Sequence, residues 1–211
     1  MTDTQTYQEI LDAMGKGGCP ICIPVQAAVE RYIKGLFDES VLDPEVRARV
    51  RASLGLCHEH AWLAQEAGLS DALGLAIVYR ELIGALQAGE RHPGKECPAC
   101  LFRSETEERM LHTAIRSIQK NEFLSRMQSS SGFCLNHLNL ILAAPESAFR
   151  HRVLLDVQNR IWERLELDLS EFIRKNDYRF SSEPIGSESD SYKRAIGVVV
   201  GRNRRRRKWD E

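Results

Sequence analysis

Apolar positions recur at helical spacing through most of the chain. Ile21, Val25, Ala28, Val29, Tyr32, Ile33 and Leu36 fall on one face of a helix of 3.6 residues per turn. Tyr7, Ile10, Leu11 and Met14 predict a lead-in helix, closed by the glycines around Gly17. Asp43-Pro44 reads as a cap followed by a first-turn proline, opening a short helix through Val46 and Val50. A helix is expected from about Cys57 to Ala67, and another after Ser70, an N-cap candidate, with Leu75, Val78, Tyr79, Leu82 and Leu86 as its stripe. Pro145 opens the longest pattern, carried by Phe149, Val153, Val157, Ile161, Leu165, Leu169 and Phe172 to about Lys175. Residues 181–191 turn to Ser, Glu, Gly and Pro and read as a linker. A short amphipathic helix from Tyr192 to Val200 follows, stopped by Gly201. No segment alternates as a strand would, so the expected fold class is all-α.

The pattern is also internally repeated. Cys19-Pro20-Ile21-Cys22 recurs as Cys97-Pro98-Ala99-Cys100, a shift of 78. Leu54-Gly55-Leu56-Cys57-His58-Glu59-His60 recurs as Ser131-Gly132-Phe133-Cys134-Leu135-Asn136-His137, a shift of 77. Glu30-Arg31-Tyr32 matches Glu108-Arg109-Met110 in between. The expected organisation is a tandem pair of helical units, 1–90 and 91–176, the second ending in the long helix, followed by a linker, a short helix and a basic tail in 177–211. Pro20 and Pro98 suit the first turn of a helix, where a missing N–H costs nothing. Gly55 and Gly132 break the chain just before the second ligand pair.

Six cysteines in 211 residues, all inside these motifs, turn attention to metal chemistry. No apolar run approaches the roughly 18 residues needed to cross a bilayer, and the polar start from Met1 to Gln8 lacks a signal-peptide core. The chain therefore reads as cytoplasmic, where structural disulfides are rare. A C-x-x-C turn offers two sulfurs to one ion, and a C-x-x-H pair on a first helical turn offers two donors on one face. The eight candidate metal ligands are Cys19, Cys22, Cys57, His60, Cys97, Cys100, Cys134 and His137, enough for two zinc ions. His58 competes with His60, but the second copy has Leu135 at that place, which favours His60. Glu59 reads as a solvated helix residue. His92, His112 and His151 have no recognisable partners.

Cysteines acting only as small hydrophobes would not explain the paired spacing or the matched histidines. C-P-x-C also occurs in thiol-disulfide oxidoreductases, but there it follows a strand. Three cysteines and one histidine can hold an iron–sulfur cluster as well, which stays an alternative cofactor. The gaps of 34 and 33 residues between pairs favour closure of each site within its own repeat. The exchanged arrangement, Cys19 and Cys22 with Cys134 and His137, has the same ligand set.

The order G-x-C-P-x-C, then G-x-C-x-x-H, twice over, resembles an uncharacterised bacterial family known only as a domain of unknown function. The ending from Ser191-Tyr192-Lys193-Arg194-Ala195-Ile196 to Gly201 resembles that family's closing segment. The resemblance implies a helical metal-binding protein and no substrate.

Four functional classes follow from these features. A closed four-ligand set leaves no open position on the metal, so a binding or scaffold protein with structural zinc and an unidentified protein partner comes first. Second is a nucleic-acid-associated protein using the tail cations Arg202, Arg204, Arg205, Arg206, Arg207 and Lys208. The net charge is −1, so the chain without these six charges is mildly acidic and not itself a DNA-binding face. Third is a thiol-based redox or metal sensor. An enzyme comes last, because no nucleophile elbow, phosphate loop or dinucleotide fingerprint is present.

Overall fold

The computed structural model describes residues 3–66, 70–145, 148–180 and 182–201. These form ten α-helices and no strand: α1 Asp3–Met14, α2 Cys22–Lys34, α3 Pro44–Ala52, α4 His58–Glu66, α5 Ala72–Gln87, α6 Pro98–Ser117, α7 Asn121–Gln128, α8 Leu135–Ala143, α9 Ala148–Lys175 and α10 Ser191–Val200. No helix among the described residues is long and apolar enough to cross a membrane. The basic tail beyond Gly201 lies outside the described residues.

Two compact units result, and one of them is assembled from both ends of the described chain. One combines the chain up to Pro24 with Glu108 to Gly201. The other is Val25–Glu107. The sequence boundary near residue 90 falls inside the second unit. Helices α2 and α6 each begin in one unit and continue in the other.

In the Val25–Glu107 unit, Val29, Ile33, Leu36 and Phe37 pack with Val46, Val50, Val78 and Leu82. The entry into α3 is as the sequence implies. The Asp43 carboxylate accepts from the Glu45 N–H at 2.8 Å, and Pro44 takes the first helical position. Two features depart from expectation. After α2 the chain widens into a π-helical turn, Gly35–Glu39. The cap of α5 is Asp71, not Ser70, and its N–H donates to the Asp38 carboxylate at 2.7 Å. Asp38 and Lys34 are also paired at 3.0 Å, so the π turn is tied to both neighbouring helices. Gly74 lets α5 approach: a Cβ there would stand 2.1 Å from the Phe37 carbonyl oxygen. The buried stripe of α5 is Gly74, Val78, Leu82 and Ala85, whereas Tyr79 and Leu86 of the expected stripe stay partly exposed, at 37 % and 42 %.

In the other unit, Ile10, Leu11, Phe123, Met127, Phe133, Leu138, Ile141 and Leu154 are buried. Helix α9 spans 28 residues. Its buried positions are Leu154, Gln158, Ile161 and Leu165, one step round from the predicted Val153 and Val157. The expected linker is a docked segment. Two 3-10 turns, Tyr178–Phe180 and Ser187–Asp190, lead back along α9. Glu188 is buried there, with its carboxylate accepting from Lys175 Nζ and the Gly186 N–H at 2.8 Å each. Ion pairs from Arg194 to Asp168 and Asp190, at 2.9 and 2.7 Å, fix α10.

Candidate metal centres

All four ligand pairs are built alike, on helix N-termini. The leading cysteine of each pair stands just before or at the cap, and its carbonyl accepts the N–H four residues on: Ile23 to Cys19 (3.2 Å), Ala61 to Cys57 (2.9 Å), Leu101 to Cys97 (3.1 Å) and Leu138 to Cys134 (2.9 Å). The second donor follows three residues later, on the same face. Free N–H groups and the positive end of each helix lie beside these positions.

The turns that deliver the cysteines use backbone conformations suited to glycine. Gly17, Gly18, Gly55 and Gly132 all have positive φ. Gly18 N–H donates to the Ser131 hydroxyl at 3.0 Å, joining the two loops that carry Cys19 and Cys134. Phe133 N–H donates to the side-chain oxygen of buried Gln158 at 2.9 Å. That bond locks the loop before Cys134 onto α9.

The eight candidate side chains gather into two groups of four, and the grouping is the exchanged one. Cys19, Cys22, Cys134 and His137 form the outer group, and Cys57, His60, Cys97 and Cys100 the inner group. Closure within each sequence repeat is thus overturned. The first C-x-x-C meets the last C-x-x-H, and the middle two pairs meet each other. In both groups the ligand atoms lie within 4.8 Å of one another, so each set could hold a metal ion.

The spacing matches a tetrahedron. Metal–sulfur bonds of about 2.3 Å and metal–nitrogen bonds of about 2.0–2.1 Å put sulfurs roughly 3.8 Å apart and sulfur and nitrogen roughly 3.5 Å apart. Cys22 and Cys134 Sγ are 3.8 Å apart, and Cys57 and Cys100 Sγ 3.6 Å. His137 Nδ1 stands 3.3, 3.4 and 3.1 Å from Cys19, Cys22 and Cys134. His60 Nδ1 stands 3.2, 3.7 and 3.4 Å from Cys57, Cys97 and Cys100. His58 is exposed, outside the group, and its ring stands in a T-shaped contact with Trp62.

Proton demand points the same way. Burial, then hydrogen bonds with Cys134 and Cys22, push the Cys19 thiol well up. Burial and Cys57 push Cys100 up to about 12. Cys134 goes the other way, held far below the usual thiol range by hydrogen bonds from Cys19, Cys22 and His137. The three sulfurs and one ring nitrogen of each group are close enough for a single divalent ion to serve all four.

A contribution absent from the sequence reading comes from the end of α10. Gly201 has φ +81°, and a Cβ there would sit 3.5 Å from Cys22 Sγ and 3.6 Å from Cys134 Sγ. The closing helix thus lays bare backbone over the outer sulfurs. Its sequence signal is the glycine itself, which by pattern marks only a helix stop. His92 and His112 are exposed, and neither they nor His151 joins a cluster among the described residues.

A search of curated proteins and a search of solved structures each return no match. A family model does match, over residues 86–206, which include Cys97, Cys100, Cys134, His137, α9 and α10. The first C-x-x-C and C-x-x-H pairs precede the matched region. The chain belongs to the family of unknown function DUF6062.

Proposed function

We propose that this protein is a helical binding scaffold stapled by two structural zinc ions, each held by three cysteines and one histidine. The observation that carries the reading is closure: four soft donors at tetrahedral spacing leave no position on the ion for water or substrate. Zinc is favoured over an iron–sulfur cluster because all donor atoms lie within 4.8 Å of one another. A polynuclear cluster interposes its own iron and sulfide and spreads its ligands. The outer ion would tie the start of α2 to the start of α8, and the inner ion the start of α4 to the start of α6. Short helices with modest cores gain stability from such links, since metal-binding energy becomes folding energy.

Elemental analysis of protein purified under reducing conditions tests this directly. Two zinc atoms per chain, a colourless solution and a melting temperature that drops with chelator are expected. Iron with visible charge-transfer absorption, or full helicity and unchanged melting in metal-free protein, would overturn it.

A further inference from the structure

Helix α5 is apolar on two faces roughly 120° apart, and its own unit covers only one. Gly74, Val78, Leu82 and Ala85 point into the core. The other face presents Ala72, Ala76, Tyr79, Ile83 and Leu86, all exposed, Ile83 by 53 %. Their steps of four, three, four and three residues are the spacing of a helix–helix seam. Charge hardly interrupts it. The helix carries Arg80 at the rim and Glu81, which is turned to Arg47 at 2.6 Å. A helix apolar all round is normally buried all round. Trp62 of α4, 50 % exposed, extends the same surface, and together with Ala61, Leu75, Ala76 and Tyr79 it walls an apolar hollow of about 490 Å³. Leu73, 66 % exposed, lies at the other rim.

We propose that this face pairs with the same face of a second copy, α5 running antiparallel to α5. The order of side-chain sizes selects that occupant and that orientation. Small residues occupy the first half of the seam and large ones the second. A two-fold axis at Tyr79 sets Ala72, seven residues before it, against Leu86 of the second copy, seven residues after it. Ala76 then lies within one residue of the level of Ile83 of the second copy, and the two tyrosines meet at the axis. Each large side chain fills the space a small one leaves, as an isologous contact requires. Parallel pairing would set alanine on alanine and leave a gap. The outer halves of two 16-residue helices, with Trp62 and Leu73 at the rims, bury less than the roughly 800 Å² per partner of a standard interface. Affinity is therefore expected in the micromolar range.

Sedimentation of full-length, metal-loaded protein is the test. Expected is a shift from 24.0 kDa to twice that mass as concentration rises. Ile83→Glu should raise the dissociation constant about 100-fold or more while leaving metal content and helicity unchanged, because it places a charge in an apolar seam. Orientation is read from added cysteines and a short bis-maleimide. Tyr79→Cys should cross-link with itself, whereas Ala72→Cys and Leu86→Cys should link to each other and neither to itself. A monomer at every concentration, a dimer indifferent to Ile83→Glu, or self-linked Ala72→Cys would each overturn the proposal. Metal content is counted separately, so failure here leaves the zinc reading untouched, and the reverse.

Discussion

The exchanged closure of the two metal groups makes a counting prediction that no other pairing shares. Cys22→Ser and Cys134→Ser each remove a ligand from the outer group, so the double variant Cys22→Ser/Cys134→Ser should still hold one ion per chain. Cys22→Ser/Cys57→Ser strikes both groups and should hold none. Closure within each repeat reverses these outcomes. The stabilities should differ as well. The outer link joins Cys22 to Cys134 across 112 residues, and the inner one joins His60 to Cys97 across 37. Treated as cross-links on the unfolded chain, they remove entropy worth about 5 kcal/mol and about 4 kcal/mol respectively. For a chain of this size each link is then worth roughly 10–20 °C of melting temperature. The outer link should be the costlier to lose by about 1 kcal/mol. Zinc is counted by native mass spectrometry and by colorimetric release, and melting is followed by circular dichroism. One ion in Cys22→Ser/Cys57→Ser, or none in Cys22→Ser/Cys134→Ser, would refute the assignment.

Three further substitutions probe how the helices reach these positions. Gly74→Ala should destabilise the Val25–Glu107 unit by about 2–4 kcal/mol, because the new Cβ meets the Phe37 carbonyl oxygen at 2.1 Å and only backbone movement relieves it; denaturant melts with a near wild-type midpoint would disprove this. Gly201→Ala should cost about 1–3 kcal/mol, since φ +81° with ψ −177° is open essentially to glycine alone, and should speed chelator capture of the outer ion while sparing the inner one; equal release rates for both ions would count against α10 as a cover. Glu188 is held down to about 2 by the Gly186 N–H and Lys175. A carboxylate lowered in the folded state adds stability above its unfolded value near 4.3, and that stability fades as pH falls toward 2. The melting-temperature gap between wild type and Glu188→Gln should accordingly be widest above about pH 5 and close under acid; a gap that stays constant would show that the carboxylate does not titrate this way.

Which residues belong to the two clusters was legible because the cause is local. Each pair is a capped helix start with a second donor three residues on, and spacing alone defines that object. Helical type, the start of α3 and the stop of α10 were legible for the same reason: periodicity, Asp43-Pro44 and Gly201 all act within one or two turns, whereas α7 was not singled out. What neighbours decide was not legible. The partial exposure of Tyr79 and Leu86, and the one-step rotation that buries Gln158 in α9, depend on which face the rest of the unit covers. The π-helical turn at Gly35–Glu39 exists where α5 comes close enough to need Gly74.

Which pair meets which is the instructive case, because locality argued for the wrong partners and its weight can be estimated. Cys22 and Cys57 are 35 positions apart, and Cys22 and Cys134 are 112 apart. Loop-closure entropy grows only as the logarithm of length, so the nearer partner is favoured by about 1 kcal/mol. The inner group carries no such handicap, since His60 and Cys97 are separated by 37 residues, much the same as the gap inside a repeat. Against that small preference stand rigid rods. Helix α2 carries the chain roughly 20 Å along its own axis before any turn can bring it back. The buried bond from Phe133 N–H to Gln158 and the Gly18–Ser131 contact then hold the Cys134 loop beside Cys19 instead. Two tertiary hydrogen bonds of ordinary strength, about 1 kcal/mol each, already exceed the entropic advantage of the local choice. Motif spacing therefore identifies the clustering residues well and their partners poorly whenever helices lie between them. Removing the anchor should show it: Gln158→Leu should loosen the outer ion and leave the inner one in place, with chelator release kinetics as the readout, and equal loosening of both ions would mean that Gln158 does not position the Cys134 loop.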